Sequence, residues 1–313
     1  MTNKTHTLPI DELYPQLASM LSYMQEEAPL VHCITNPISI NDCANILLAI
    51  GARPIMAEHP DEVAEITAIS KALALNLGNI TDVRMASMKI SAKAAKGNDI
   101  PFVLDLVGLA CSRLRRKYAK ELLSAATPNI IKGNISELRA LLGLSTTPGM
   151  GIEAGQKEMV TAKNALEYAR IFQEQAKKHH TVLLATGPID LAVAPNEAYA
   201  IANGTYALAS ITGTGCMNNV LAGASLSAVH GLPAKNMQNQ PAAKTSSSAT
   251  AASTSPDIAA AILSCLLLGI AGEKSHALFV SHGPGSFHAA LMDSISRLTV
   301  DEIAKGAKIS RLF

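Results

Sequence analysis

Tryptophan is missing from this 313-residue chain, and aromatic residues make up only 4% of it. A stacking platform for nucleobases is therefore not built in. Charge is scarce as well: Asp, Glu, Lys and Arg together are 16%, and 26 basic against 25 acidic residues leave a formal charge of +1. No basic stripe gathers along any segment, which argues against nucleic acid or an anionic membrane surface as a partner. Five cysteines (Cys33, Cys43, Cys111, Cys216, Cys265) are widely spaced, odd in number and without a C-x-x-C pair. The segment Met1–Asp11 lacks the apolar stretch of a secretory leader. Together these absences predict reduced thiols and a cytoplasmic protein. The most apolar run, Ile258–Gly272, is short for a bilayer span and is broken by Ser264 and Cys265, so it reads as a core helix. The nine histidines show no metal-ligand spacing, and there is no G-x-x-x-x-G-K-[ST] or convincing G-x-G-x-x-G. Neither a P-loop nor a dinucleotide fold is indicated.

What the chain has in plenty is apolar residues, 48% of the total, so much of it is interior. The little charge left for a surface suggests an oligomer. Short apolar runs alternate with amphipathic ones. A lead-in helix over about Asp11–Glu26 precedes a strand at Leu30–Ile34, and a helix follows at Asn41–Ile50. Pro54–Met56, Leu73–Leu77, Phe102–Leu104, Asn129–Lys132 and Thr181–Ala185 read as further strands. Helices fall between them at Asp61–Ser70 (capped), Thr81–Lys96, Arg113–Ala126, Ser136–Leu142 and Glu158–Lys178. Leu191–Ala194 and Ala198–Ile201 read as a hairpin on the sheet edge, and Ser286–Leu298 as the last helix. Strict alternation predicts a single α/β domain over 1–313 with a mostly parallel sheet and right-handed crossovers. Thr146–Gly155 is expected to be a mobile loop, and the Ser/Thr/Ala/Gln/Pro-rich Leu232–Pro256 a disordered insertion between two core helices.

The organising stretch is Ile211–Val220, I-T-G-T-G-C-M-N-N-V. Its two glycines allow a tight turn into a buried helix, which would gather several backbone N–H groups and the positive end of a helix dipole at one point. An anion is the natural occupant, although Gly-Thr-Gly also occurs in loops that only turn. Ligands of parallel sheets sit beyond the carboxyl ends of the strands. Asn36, Gly78-Asn79, Asp105, Gly133-Asn134 and Thr186-Gly187 stand there. Asp105 follows F-V-L directly. Glu137 lies in the first turn of a helix, where a capping carboxylate is an equally good reading. Lys132 closes a strand where a cation would serve phosphate. A thiol at a helix N-terminus, as Cys216 is, is expected to have a depressed pKa and to act as base or nucleophile, or else to be a small buried apolar residue.

In order along the chain, V-H-C-I-T-N (Val31–Asn36), A-R-P-I-M-A (Ala52–Ala57), L-N-L-G (Leu75–Gly78), L-D-x-V-G (Leu104–Gly108), I-K-G-N-x-S-E (Ile131–Glu137), A-T-G (Ala185–Gly187) and T-G-T-G-C (Thr212–Cys216) resemble hydroxyethylthiazole kinases, of the ribokinase-like superfamily. The resemblance runs from about residue 28 to 230 and includes the terminal helix. It implies a three-layer sandwich with helices on both faces of the sheet. It implies transfer of the γ-phosphoryl of ATP to the hydroxyl of 4-methyl-5-(2-hydroxyethyl)thiazole, a thiamine precursor, with Mg²⁺, by a homotrimer whose active sites lie at subunit interfaces. Carried over position by position, it implies nucleotide contacts at Lys132 and Thr186, carboxylates near metal and phosphates at Asp105 and Glu137, and substrate contacts at Ile40 and Gly213. The backbone N–H groups of Gly213, Thr214, Gly215 and Cys216 would hold the transferring phosphoryl, with Cys216 at the substrate hydroxyl. Three residues depart from the family pattern. Lys132 replaces an Arg, which keeps the charge but loses the planar fork. Ile40 replaces a Met, and Leu106 replaces a Pro after the strand-end Asp, which is expected to let Asp105 shift. Alternatives are a ribokinase-like kinase of another heteroaromatic alcohol, of the hydroxymethylpyrimidine or pyridoxal type, and a cysteine-nucleophile enzyme built on Cys216, for which no activating His/Asp pair is evident.

Overall fold

The computed structural model describes residues 13–144, 159–232 and 254–313. Its strands form one sheet in the order β2-β1-β3-β4-β5-β6-β7-β8-β9. These are β1 (Leu30–Ile34), β2 (Arg53–Ile55), β3 (Ala72–Asn76), β4 (Phe102–Asp105), β5 (Ile130–Asn134), β6 (Val182–Thr186), β7 (Asp190–Val193), β8 (Ala198–Ile201) and β9 (Ile309–Arg311). Pairing is parallel from β2 through β6 and antiparallel from β6 to β9.

The strands are apolar along nearly their whole length because the sheet is covered on both faces. The period of two sorts their side chains cleanly. Val31, Cys33, Ala72, Ala74, Val103, Ile130, Val182 and Leu184 join one core cluster, while Ile34, Leu73, Leu75, Phe102, Leu104, Ile131, Leu183 and Ala185 join the other. The first cluster lies under α1 (Tyr14–Glu27), α2 (Ile40–Ala49), α8 (Thr214–Gly231), α9 (Pro256–His282) and α10 (Pro284–Ser296). The second lies under α4 (Asp82–Gly97), α5 (Arg113–Ala125), α6 (Ile135–Leu141) and α7 (Ala165–His179). This is the expected three-layer arrangement.

Helix α8 is the central strut of the first layer. Every residue from Cys216 to Val229 is buried, and the helix crosses β1, β3 and β4. Small residues bring its backbone close to the sheet: a Cβ on Gly223 would stand 3.3 Å from that of Ala74 and 3.5 Å from Val31 Cγ1. Helix α9 runs beside α8, with every residue from Ile258 to Gly272 buried.

Several sequence expectations need correction. Helix α9 is 27 residues long and, by length and composition, could cross a membrane, yet 89% of its apolar window is buried inside the fold. It is a core helix that runs ten residues beyond its apolar run, where Glu273, Lys274 and His276 pair with Asn203, Glu302 and Thr205. The β7–β8 hairpin is not at the sheet edge. Helix α11 (Val300–Gly306) and β9 follow α10, and β9 pairs outside β8. Helix α7 begins at Ala165 rather than Glu158, and α3 (Val63–Ile69) starts without a side-chain cap. The expectations for Thr146–Gly155 and for most of Leu232–Pro256 fall at 145–158 and 233–253, outside the described residues.

Because α8 sits so close to the strands, Gly223→Leu is expected to overpack that contact and cost roughly 1–3 kcal/mol or more. Thermal denaturation reads this directly.

Candidate functional site

Strand register builds the floor of the site. Asn76 closes β3, its partner across the ladder is Asp105 at the end of β4, and Asp105 in turn pairs with Lys132 on β5. All three side chains continue the face that carries Ala74, Val103 and Ile130, so amide, carboxylate and ammonium stand in a row beneath the start of α8. Each is buried. Lys132 Nζ donates to Asp105 Oδ2 at 3.0 Å, and Asn76 Nδ2 donates to the same oxygen at 3.1 Å. Asp105 Oδ1 is buried without a hydrogen-bond partner. The expectation that Leu106 would loosen this carboxylate is not met. Its side chain is buried and its N–H donates to Lys132 O at 2.8 Å, a ladder bond that proline could not make.

The roof is the first turn of α8. Gly213 is its N-cap at φ +87°, a conformation glycine adopts freely, and a Cβ there would lie 2.6 Å from Ser39 Cβ. Gly213 O accepts from Met217 N at 2.8 Å, so helix geometry leaves the N–H groups of Gly213, Thr214, Gly215 and Cys216 without carbonyl partners inside the helix. Thr214 Oγ1 donates to Leu208 O at 3.2 Å, which turns its hydroxyl away from those amides. Lys132 Nζ lies directly below: a Cβ on Gly215 would be 3.6 Å from it. A cation thus stands beside the amide end of this helix.

Cys216 Sγ accepts from Asn76 Nδ2 at 3.3 Å. Its pKa is raised, not depressed, which corrects the sequence expectation. Burial is the main cause and the Asp105 carboxylate the second, and both outweigh Ser39, Lys132 and Asn76, which favour the thiolate. Burial also raises Asp105, against the pull of Lys132. Lys132 is penalised by burial, but the Asp105 carboxylate lifts it above its ordinary value, so it keeps its proton.

Glu137 is the capping carboxylate of α6, with its second oxygen tied to a neighbouring loop. Its Oε2 accepts from Asn134 N at 2.8 Å in a capping box, while its Oε1 accepts from Gly108 N at 2.7 Å. Burial and repulsion from Asp105 push it up to about 7 despite those two amides and Lys132. Ile40 is the first residue of α2, half-buried, next to the Ser39 that packs on Gly213. Thr186 ends β6 opposite Asn134 and lies farther out along the same sheet end. Beside it Gly187 N donates to Asp190 Oδ1 at 2.9 Å.

Asp105, Lys132, Glu137, Gly213, Gly215 and Cys216 are therefore brought together, with Ile40 on one flank and Thr186 on the other. Among the described residues no group of three or more His, Cys, Asp or Glu could hold a metal ion. The unpartnered Asp105 Oδ1 beside Glu137 still fits a hard cation that takes most of its ligands from phosphate and water. Sequence reasoning missed Asn76 and Ser39. Asn76 had a signal, a polar residue inside the apolar run A-L-N-L-G at an inward position of the strand. Ser39 had none.

The carboxylate of Glu137 gives a sign for pH dependence. The folded chain holds a proton on Glu137 between its ordinary value of 4.5 and about 7, where the unfolded chain has released it. This contribution to stability is present at low pH and lost as pH rises through that window. Without nucleotide or metal, denaturant unfolding from about pH 5 to about pH 7.5 should show a decline on the order of 2 kcal/mol from this group, and Glu137→Gln should flatten it.

A sequence profile described as the hydroxyethylthiazole kinase family matches residues 21–257. A protein named hydroxyethylthiazole kinase 2 from Clostridium botulinum (strain Hall) is 42% identical over 283 residues, covering 90% of this chain and 95% of that protein. One named hydroxyethylthiazole kinase 1 from Methanosphaera stadtmanae is 33% identical, covering 95% and 97%. The solved structure of a hydroxyethylthiazole kinase protein from Pyrococcus horikoshii OT3 superposes with a TM-score of 0.75 at 29% identity, covering 95% of this chain and 98% of that one. A ribokinase-like superfamily protein from Enterococcus faecalis shares the fold at a TM-score of 0.52 and 11% identity, covering 92% and 83%.

Proposed function

This chain belongs to the hydroxyethylthiazole kinase family, and from that premise we propose how its residues carry out the reaction. The activity is ATP-dependent phosphorylation of the side-chain hydroxyl of 4-methyl-5-(2-hydroxyethyl)thiazole, a step of thiamine salvage. The observation that carries the mechanism is the convergence of Lys132 Nζ and the first-turn amides of α8 over a buried carboxylate.

The thiazole lies along Ile40 and Gly213, with its hydroxyl at Cys216. The nucleotide enters from the Thr186 side, and Lys132 meets its phosphates. The γ-phosphoryl settles on the N–H groups of Gly213, Thr214, Gly215 and Cys216. As the substrate oxygen forms its bond to phosphorus, the bond to the β-γ bridging oxygen breaks and ADP leaves. The equatorial charge of the loose transition state grows where those amides and Lys132 already point, so little reorganisation is needed. Asp105 and Glu137 would hold Mg²⁺, which neutralises charge across the β- and γ-phosphates when bound. Cys216 orients the hydroxyl through Sγ, and its thiolate form would take the proton as the new bond forms. Burial and the Asp105 carboxylate keep the sulfur largely protonated, so this contribution is helpful rather than indispensable.

The assembly we propose is a homotrimer with its sites at subunit interfaces. Ile38, two residues before Ile40, is 63% exposed, and Tyr206, on the segment leading into the turn, is 68% exposed. Apolar side chains so near the thiazole pocket suit a neighbouring subunit that completes it. A cytoplasmic setting is supported by five cysteines that are all unbridged.

A coupled assay of ADP release across heteroaromatic alcohols tests the reading. Turnover should be highest with the hydroxyethylthiazole and lower with hydroxymethylpyrimidine and pyridoxal. Absence of turnover with the thiazole would overturn it. Cys216→Ala should lower kcat by about 10²-fold and Cys216→Asp should restore or exceed it, whereas an enzyme using the thiol as a nucleophile would lose everything in either variant.

A further inference from the structure

Asn76 is buried at the end of an apolar strand, on the face where β3 otherwise carries alanines. A carboxamide is costly there unless each of its polar groups is matched. All of them are. Its Oδ1 accepts from Gly78 N at 2.7 Å. That bond fixes which end of the amide is which, because a backbone N–H has no use for an NH₂. The two hydrogens of Nδ2 then face Asp105 Oδ2 at 3.1 Å and Cys216 Sγ at 3.3 Å.

We propose that Asn76 is a positioning residue of the phosphoryl-transfer site, one carboxamide that sets the Cys216 thiol and the Asp105 carboxylate in a fixed relation to each other. The proposal rests on the reaction assigned above and adds to it. Donation into Sγ, together with a hydrogen bond to Ser39, restrains the sulfur in one position. On the other arm, Asp105 Oδ2 accepts from Asn76 and from Lys132, so the carboxylate is pinned through one oxygen. The other, Oδ1, is left without a partner and presented to an arriving cation. The group that faces the substrate hydroxyl and the group that faces the metal side are thus registered by a single side chain that touches neither ligand. The locking bond from Gly78 makes the arrangement rigid before any ligand binds.

Two variants separate this role from simple packing. Asn76→Asp keeps the shape and can still accept from Gly78 N, but it presents oxygen to Asp105 and to Sγ. Asn76→Ala removes the contacts altogether. Both are expected to fold and to lose about tenfold or more in kcat, with KM for ATP and for the alcohol moving less than about threefold. The second readout needs no turnover: iodoacetamide labelling of Cys216, followed by peptide mass spectrometry with exposed Cys111 as the internal reference. The Cys216 to Cys111 rate ratio should rise in Asn76→Ala, where the sulfur is released, and fall in Asn76→Asp, where a carboxylate faces it. Labelling that rises equally in both variants would mean loosened packing and would overturn the proposal. So would a kcat within about twofold of wild type in either folded variant, or a failure of both variants to fold. If the wild-type protein did not phosphorylate the thiazole alcohol, the assigned reaction would fall, while the labelling result would still judge the contact between Asn76 and Cys216.

Discussion

The ion pair between Lys132 and Asp105 is the constraint around which the site is arranged. Both groups are sealed from solvent at 3.0 Å, so neither can be removed without stranding a charge in the interior. The pair is tolerable because it is not alone: the Asn76 amide shares the carboxylate, and the α8 dipole stands over it. It leaves one carboxylate oxygen uncommitted beside the ammonium. Breaking one partner is therefore more damaging than the modest strength of an isolated ion pair would suggest.

The architecture serves this arrangement at every level. Parallel strands ending in step bring Asn76, Asp105 and Lys132 level with one another. The alternation of faces sends all three to the same side. The small residues of α8 let that helix settle close enough for its amides to reach the same space. Helix α9, buried at every position from Ile258 to Gly272, backs α8 and gives it nowhere to retreat. The rigidity of the pocket is thus inherited from core packing several turns away from the chemistry.

Much of this was legible in the sequence, for identifiable reasons. The fold could be read because each buried strand is a compact apolar run and each crossover helix is amphipathic. The T-G-T-G-C corner could be read because only glycine suits its turn. The thiol's acidity could not. A helix N-terminus favours a thiolate, but burial and a carboxylate oppose it, and neither is visible until the chain is folded. Glu137 resisted a single assignment because its capping bond is legible in the sequence, whereas its bond to Gly108 and its place near Asp105 come only with the fold. The C-terminal α11 and β9 were missed because elements of seven and three residues carry too little periodicity to stand out. Asn76 was quoted within a motif yet not singled out, since its meaning comes from two neighbours at Asp105 and Cys216 that only tertiary structure supplies.

The two rims of the sheet have a bearing on how copies of the chain can meet. The β2 rim is three residues with Pro54 at its centre, and the β9 rim is three residues ending in Arg311. Neither offers a run of open backbone donors and acceptors long enough for another chain to dock as an extra strand. Among the described residues, then, the surfaces open to another copy are side-chain surfaces rather than strand edges. Such a protein can assemble by matching shapes without the risk of growing into a continuous ribbon.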